Sequence, residues 1–334
     1  MKRLLTLGNG FDLDFGSDTR YLTFAKGHFK ENINAPMFLY LKEKYESKQN
    51  KAWFNFEDEI LSYAESLNTK PISQDCLTAD RDYFHNHLIP IARVLNIFAW
   101  KTPFYERVEF VDKNKKNYDP NPVQFKGRKN SVAYKILELI AGNPEYFSEI
   151  ITFNYTDLPS YIRNAMSEYY DYNRDRVQES MEQLKITPVH IETKNEHQYG
   201  VLGISDLSLI PQEYNFLRKS NQIASEKRDR VMQSMLEADE LVIFGHSLGD
   251  SDADYFKPIF KDMFSEHPTH ERKVTLITKN SNKDLLERIT KLNDDNNIHI
   301  KSNFEQLKFV YTDSLESMWE WWDLSNAMCR HNIF

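Results

Sequence analysis

Short apolar runs that end in glycine or asparagine recur along this chain, separated by longer stretches in which apolar residues return every three or four positions. Leu4-Leu5-Thr6-Leu7 is the first such run, and Gly8-Asn9-Gly10-Phe11-Asp12 follows it directly, the pattern of a buried strand ending in a tight turn. From about Tyr21 to Leu139 the spacing is mostly helical. Phe24, Phe29, Phe38, Leu41 and Tyr45 carry it first, then Phe56, Ile60, Tyr63, Ala64 and Leu67. Residues 82–99 continue it through Tyr83, Leu88, Ile91, Leu95 and Phe98, and Pro90 predicts a kink. The block is too long for a single crossover helix and reads as a helical insertion between the first and second strands. Lys113 to Asn130, poor in apolar positions, reads as an exposed loop.

Helical spacing returns over Val132–Ala141, stops at Gly142-Asn143-Pro144, and gives way to a strand at Ile150–Phe153. The pattern then predicts one helix from about Pro159 to Leu184, short strands at Val189–Ile191 and Val201–Ile204, and a charged helix over 218–237. Strands follow at Leu241–Phe244, Val274–Ile277 and Ile298–Ile300. Leu315, Met318, Trp319, Trp322 and Leu324 give a last helix one apolar face, which docks onto the sheet or mediates self-association. Strands alternating with helices predict an α/β fold around a mostly parallel sheet, with ligands beyond the carboxyl ends of the strands.

Composition narrows the function. The 334 residues suffice for one large domain or two intimately connected ones. A mean hydropathy of -0.64 and the lack of a long apolar run predict no membrane-spanning helix. The apolar stretch after Lys2-Arg3 ends at Gly8, short of the ~7–15 residues of a secretory signal core, so a cytoplasmic location is expected. Cys76 and Cys329 cannot build a disulfide framework or a four-ligand zinc site, which fits a reducing compartment. A net charge of -8 argues against a nucleic-acid partner.

Three strand ends carry candidate chemistry. At Gly8-Asn9-Gly10 two glycines let a ligand approach the main chain, and a helix beginning there aims free amides at it. The third glycine of the dinucleotide fingerprint is Leu13, so the turn alone does not identify a nucleotide site. Asp12 meets a ribose or base, or caps the helix. Asn154-Tyr155-Thr156-Asp157 presents an amide that both donates and accepts, suited to a ribose hydroxyl or a water, and equally to a turn or cap. Gly245-His246-Ser247-Leu248-Gly249 fits the nucleophile elbow of a serine hydrolase, with Asp295 and His299 or Asp313 and His331 to complete a triad. Asp250, Asp252 and Asp254 just beyond it oppose a developing oxyanion.

Together and in this order, Leu7-Gly8-Asn9-Gly10-Phe11-Asp12, Trp53-Phe54-Asn55-Phe56-Glu57, Phe153-Asn154-Tyr155-Thr156 and Phe244–Gly249 with Asp252 resemble the bacteriophage abortive-infection AbiH family. That family looks distantly sirtuin-like. The resemblance implies a Rossmann-like nucleotide-binding domain over residues 1–16 and 145–334, a helical insertion over 17–144, and NAD as substrate or ligand. It implies that Gly8, Asn9 and Gly10 lie against the cofactor, with Asp12, Gly245, Ser247 and Asp252 as further binding residues. It also implies that Asn154 positions the nicotinamide ribose or the attacking water and that His190 serves as base. Where a sirtuin-like site carries a second histidine and a glycine, this chain has Glu192 and Thr193. Three functions stay open at this point: an antiphage NAD glycohydrolase answering a phage trigger, a nucleotide sensor without turnover, and a hydrolase using Ser247. None requires a metal.

Overall fold

The computed structural model describes residues 1–15, 25, 28–47, 55–69, 72–90, 105–107, 123–125, 131–156, 158–170, 173–194, 197–279, 283–293 and 306–312. Six strands form one all-parallel sheet around β1 (Arg3–Leu7). β4 (Glu149–Thr152) and β5 (Ile186–Pro188) lie on one side of it, and β8 (Glu240–Phe244), β9 (Lys273–Thr278) and β10 (Leu307–Tyr311) on the other. Leu5 of β1 pairs with Ile150 and with Val242. Two antiparallel ribbons stand apart from the sheet, β2 (Tyr105–Arg107) with β3 (Val123–Phe125) and β6 (Ile191–Lys194) with β7 (His197–Gly200).

The short, largely apolar run of β1 is explained by burial on both faces. Leu4 packs with Leu241, Ile243 and the helices α8 (Ser225–Leu236), α9 (Ala253–Met263) and α10 (Lys283–Leu292). Leu5 and Leu7 pack on the opposite layer with α1 (Asn9–Phe15), α5 (Val132–Gly142), α6 (Leu158–Tyr169) and α7 (Arg174–Glu182). Helices on both faces make the sheet doubly wound and Rossmann-like. The strand order turns back between β1 and β8, so the crevice of such a fold falls at their carboxyl ends.

The insertion supplies α2 (Pro36–Ser47), α3 (Phe56–Ser66) and α4 (Gln74–Tyr83). They share an aromatic core with Leu202, Ile204, Tyr214 and Leu217 from beyond the second ribbon. Asp80, fully buried there, accepts from Tyr63 Oη at 2.6 Å, Tyr214 Oη at 2.7 Å and the Met37 amide at 2.7 Å. Asp80→Ala strands two hydroxyls and an amide, so urea denaturation is expected to show a loss of about 3 kcal/mol or more. Helix α5, although it lies within 17–144, packs on the sheet, and its Ala133 amide donates to Asp14 at 2.8 Å.

Several elements differ from the pattern. The helix expected over 159–184 is two, because Asn173 turns the chain and its side chain caps α7 by accepting from the Arg176 amide at 3.2 Å. The helix expected over 218–237 starts only at Ser225. Residues 212–217 and 219–221 form 3₁₀ turns instead, since the Arg218 guanidinium donates to the Ser205, Asp206 and Ser208 carbonyls. Val201–Ile204 is no strand, and only Ile204 makes a bridge, to Arg218. His190 sits in a bend between β5 and β6, not inside a strand. Ahead of Pro90, α4 widens into a π turn over Phe84–Leu88, with the Ile89 amide donating to the Phe84 carbonyl. Pro90 has no amide to offer Asn86, and the wider turn suits its ring.

The sixth strand is Leu307–Tyr311, where Lys308 interrupts the apolar run and hides it. Ile298–Ile300, the last helix at 315–324, Cys329 and most of the 113–130 loop lie outside the described residues. Among the described residues no helix is long and apolar enough to cross a membrane.

Candidate functional site

The turns after β1 and β8 are sewn together by glycine. The Gly8 amide donates to the Phe244 carbonyl at 2.8 Å and the Gly10 amide to the Gly245 carbonyl at 2.8 Å. A methyl group on Gly8 would sit 2.5 Å from the His246 Cα, and one on Gly10 2.6 Å from the Gly245 Cα. The close approach that two glycines permit is therefore made by the protein's own backbone, and these two amides are engaged within it. Gly10→Ala must push the two turns apart; a loss of about 1–3 kcal/mol in chemical denaturation is the expected result. Gly245 has φ +63°, a conformation glycine adopts without strain.

Beside this seam, Asn154 Nδ2 donates to the Gly8 carbonyl at 3.0 Å, and Thr156 Oγ1 lies 3.1 and 3.2 Å from the two Asp12 carboxylate oxygens. Asp12 is 1% exposed. Burial pushes its carboxyl up to about 7, and the hydrogen bonds from Thr156 and Asn154 only partly offset that. Its location in the first turn of α1 is the one expected, but it is enclosed and titrates near neutrality.

A second polar group lies under the rings of Phe153 and Tyr155. Lys219 Nζ is 2.7 Å from Asp252 Oδ1, 2.8 Å from Glu57 Oε1 and 3.1 Å from His190 Nε2. His190 Nε2 is itself 2.9 Å from Asp252 Oδ1, and His246 Nε2 faces Asp252 Oδ2 at 3.4 Å. All five side chains are buried. Three elements and a bend bring them together. Glu57 comes from the first turn of α3, where Asn55 caps the helix; Lys219 comes from a 3₁₀ turn, His190 from the bend after β5, and Asp252 from the turn after β8. Phe153 meets the His190 and His246 rings edge-on at 5.5 and 4.7 Å, and the Tyr155 ring lies 5.4 Å from His190.

The protons can be placed. Leu248 N donates to His246 Nδ1 at 2.9 Å, so the proton of a neutral His246 is on Nε2, toward Asp252; burial lowers its pKa further. Burial pushes the Asp252 carboxyl up, but the Lys219 ammonium and then His190 and His246 hold it well below the usual carboxylate range. Burial likewise pushes Lys219 down, and Asp252 and Glu57 outweigh it. One ammonium thus faces two carboxylates. His190 Nδ1 is buried and has no hydrogen-bond partner among the described residues.

The structure joins Gly8, Gly10, Gly245, Asn154 and Asp12 at one seam and joins His190 to Asp252 directly. Asn9 is half-buried at the first position of α1, and Ser247 is exposed beyond the seam. In a nucleophile elbow the serine takes the strained conformation. Here Leu248, with φ +51°, takes it, and 3₁₀ and helical turns begin only at Asp250. Asp295, His299, Asp313, His331 and the Glu192 and Thr193 side chains lie outside the described residues. Sequence reasoning left out Lys219, Glu57, His246 and Thr156 as site residues. Three of these stood within motifs already singled out, whereas Lys219 looked like one more charge on a solvated helix. Among the described residues no three histidine, cysteine or carboxylate side chains are arranged to hold a metal.

A family model described as "Bacteriophage abortive infection AbiH" matches residues 4–269, a span that holds every side chain of both polar groups. No curated protein and no solved structure matches the chain.

Proposed function

With a chain that belongs to the bacteriophage abortive infection AbiH family as the premise, we propose that it acts in that defence by hydrolysing NAD at the nicotinamide glycosidic bond. The observation that carries this reading is the His190 Nδ1 atom, buried and without a hydrogen-bond partner among the described residues, on a ring whose other nitrogen lies 2.9 Å from the Asp252 carboxylate. A buried polar atom of this kind costs stability unless a further group, such as a bound ligand, meets it. A base held by a carboxylate is the arrangement that removes a proton from water.

The charge balance supports the same chemistry. Nicotinamide leaves a ribose that becomes oxocarbenium-like, and a buried centre with one carboxylate in excess favours developing positive charge. In the proposed step the bond from C1′ to the nicotinamide nitrogen breaks, its electron pair going to the nitrogen. A water oxygen bonds to C1′, and its proton passes to His190 Nδ1 and then to solvent. Asn154 would hold the ribose or the water, and Asp12 would favour the cation once ionised. Gly8 and Gly10 would fix the seam that positions these groups.

The test is to incubate purified protein with NAD, with and without phage components, and follow nicotinamide and ADP-ribose. Wild-type protein is expected to release both, and His190→Gln and Asn154→Ala are expected to lose on the order of 100-fold in rate. Binding of NAD without release, unaffected by Asn154→Ala, would make the site a sensor. Neither binding nor release would defeat the nucleotide reading.

A further inference from the structure

We propose that Arg288, together with the Ser247 hydroxyl, takes the diphosphate of the nucleotide at the crevice between β1 and β8. The inference rests on the nucleotide reading and deepens it by naming a phosphate-binding residue that lies beyond the span 4–269 matched by the family model. In a doubly wound sheet the amides of the first strand-to-helix turn commonly meet the phosphates. Here the Gly8 and Gly10 amides donate to the Phe244 and Gly245 carbonyls, so the phosphates need other donors.

The turn after β8 supplies one of them. Ser247 is exposed three residues past the end of that strand, at the edge of the crevice. The Leu248 amide donates to His246 Nδ1 at 2.9 Å, and the Asp252 amide to the Gly249 carbonyl at 3.2 Å. The turn that presents Ser247 is thus held on the same framework as the buried centre of Asp252 and Lys219. Helix α10 supplies the other donor. Its Ile289 is buried in the core beside the sheet, and the neighbouring Arg288 is exposed.

Arg288 Nη1 and Ser247 Oγ each lie 3.2 Å from the position that a Cβ on Gly249 would take. A side chain at 249 would crowd both groups, and glycine keeps that point clear of protein. Two donors that flank one point suit a single tetrahedral anion, and a guanidinium meets phosphate through parallel N–H bonds. Two carboxylates stand nearby. Lys291, three residues after Arg288 on α10, donates to both Asp250 oxygens at 2.8 Å and balances their charge. Asp58, in the first turn of α3, feels the Arg288 charge directly, yet burial pushes its carboxyl up and the hydrogen bond with Asn55 and the attraction of Arg288 only partly offset that.

Calorimetric titration of wild type, Arg288→Ala and Arg288→Lys with ADP and with adenosine tests the site apart from turnover. Wild type is expected to bind ADP on the order of 10-fold or more tighter than adenosine, Arg288→Ala to lose most of that advantage, and Arg288→Lys to keep part of it. The KM for NAD is expected to rise on the order of 10-fold in Arg288→Ala with kcat changed little. Arg288 is exposed, so these variants leave the core intact. A wild type that binds ADP no tighter than adenosine overturns the proposal, and so does an ADP advantage that Arg288→Ala leaves unchanged. ADP binding that weakens in Arg288→Ala, in a protein that releases no nicotinamide from NAD, would sustain the phosphate site and defeat the hydrolase reading. Nicotinamide release with an unchanged KM in Arg288→Ala would do the reverse.

Discussion

Asp12→Asn is expected to give a protein that is more stable than wild type above pH 7 and has lost nicotinamide release. The Asp12 carboxyl rises from its ordinary 3.8 to about 7 because burial disfavours its charge. Between those values the folded protein keeps a proton that the unfolded chain has released. Stability contributed by the neutral acid is therefore full below about pH 4, falls as pH rises, and is gone above about 7. The rise corresponds to about 4 kcal/mol at alkaline pH. Asparagine has the same shape, still accepts from Thr156, and carries no charge to bury. Urea denaturation from pH 4 to 9 should show the wild-type stability falling across that window relative to Asp12→Asn. Wild-type turnover should rise over the same window as the carboxylate forms. A less stable Asp12→Asn at pH 8, or one with wild-type turnover, is the contrary result.

Asp252→Ala should be the most damaging single change in the centre. Its carboxylate takes Lys219 and His190 on one oxygen and faces His246 on the other. Removal leaves Lys219 with Glu57 and the His190 ring, and leaves the His246 Nε2 proton without the acceptor it faces. Breaking a buried pair from one side typically costs about 3–5 kcal/mol. Differential scanning calorimetry should show a large fall in Tm, and any folded fraction should release no nicotinamide. Asp252→Asn keeps the shape and one acceptor, so it should recover part of the stability and little of the activity. Equal stability of Asp252→Ala and wild type would mean that the cluster is not formed in solution.

The central strands were legible because parallel strands buried on both faces read as largely apolar runs with no charge inside them, as Leu4–Leu7 and Leu241–Phe244 do. Leu307–Tyr311 at the sheet edge was not, since Lys308 interrupts the run. The strand-end motifs held Asn154, Asp12 and Asp252, and His190, singled out by the family resemblance, lies 2.9 Å from Asp252 in the structure. Their partners were harder to foresee. Lys219 follows Arg218 and precedes Ser220 in a polar stretch, and no local pattern distinguishes a lysine drawn into the interior by two distant carboxylates. The glycines carried a true signal of close approach, but periodicity cannot say whether the approaching group is a ligand or the turn after β8. Glu57 lies far from the sheet residues in sequence, and only the docking of the insertion brings it to the centre.

The most direct test is a crystal structure of the protein with ADP-ribose. The account predicts the nicotinamide-side ribose within hydrogen-bonding distance of His190 Nδ1 and the Asn154 side chain, at the carboxyl ends of β1, β4 and β5. ADP-ribose bound elsewhere, with His190 Nδ1 enclosed in the interior and out of its reach, would contradict it.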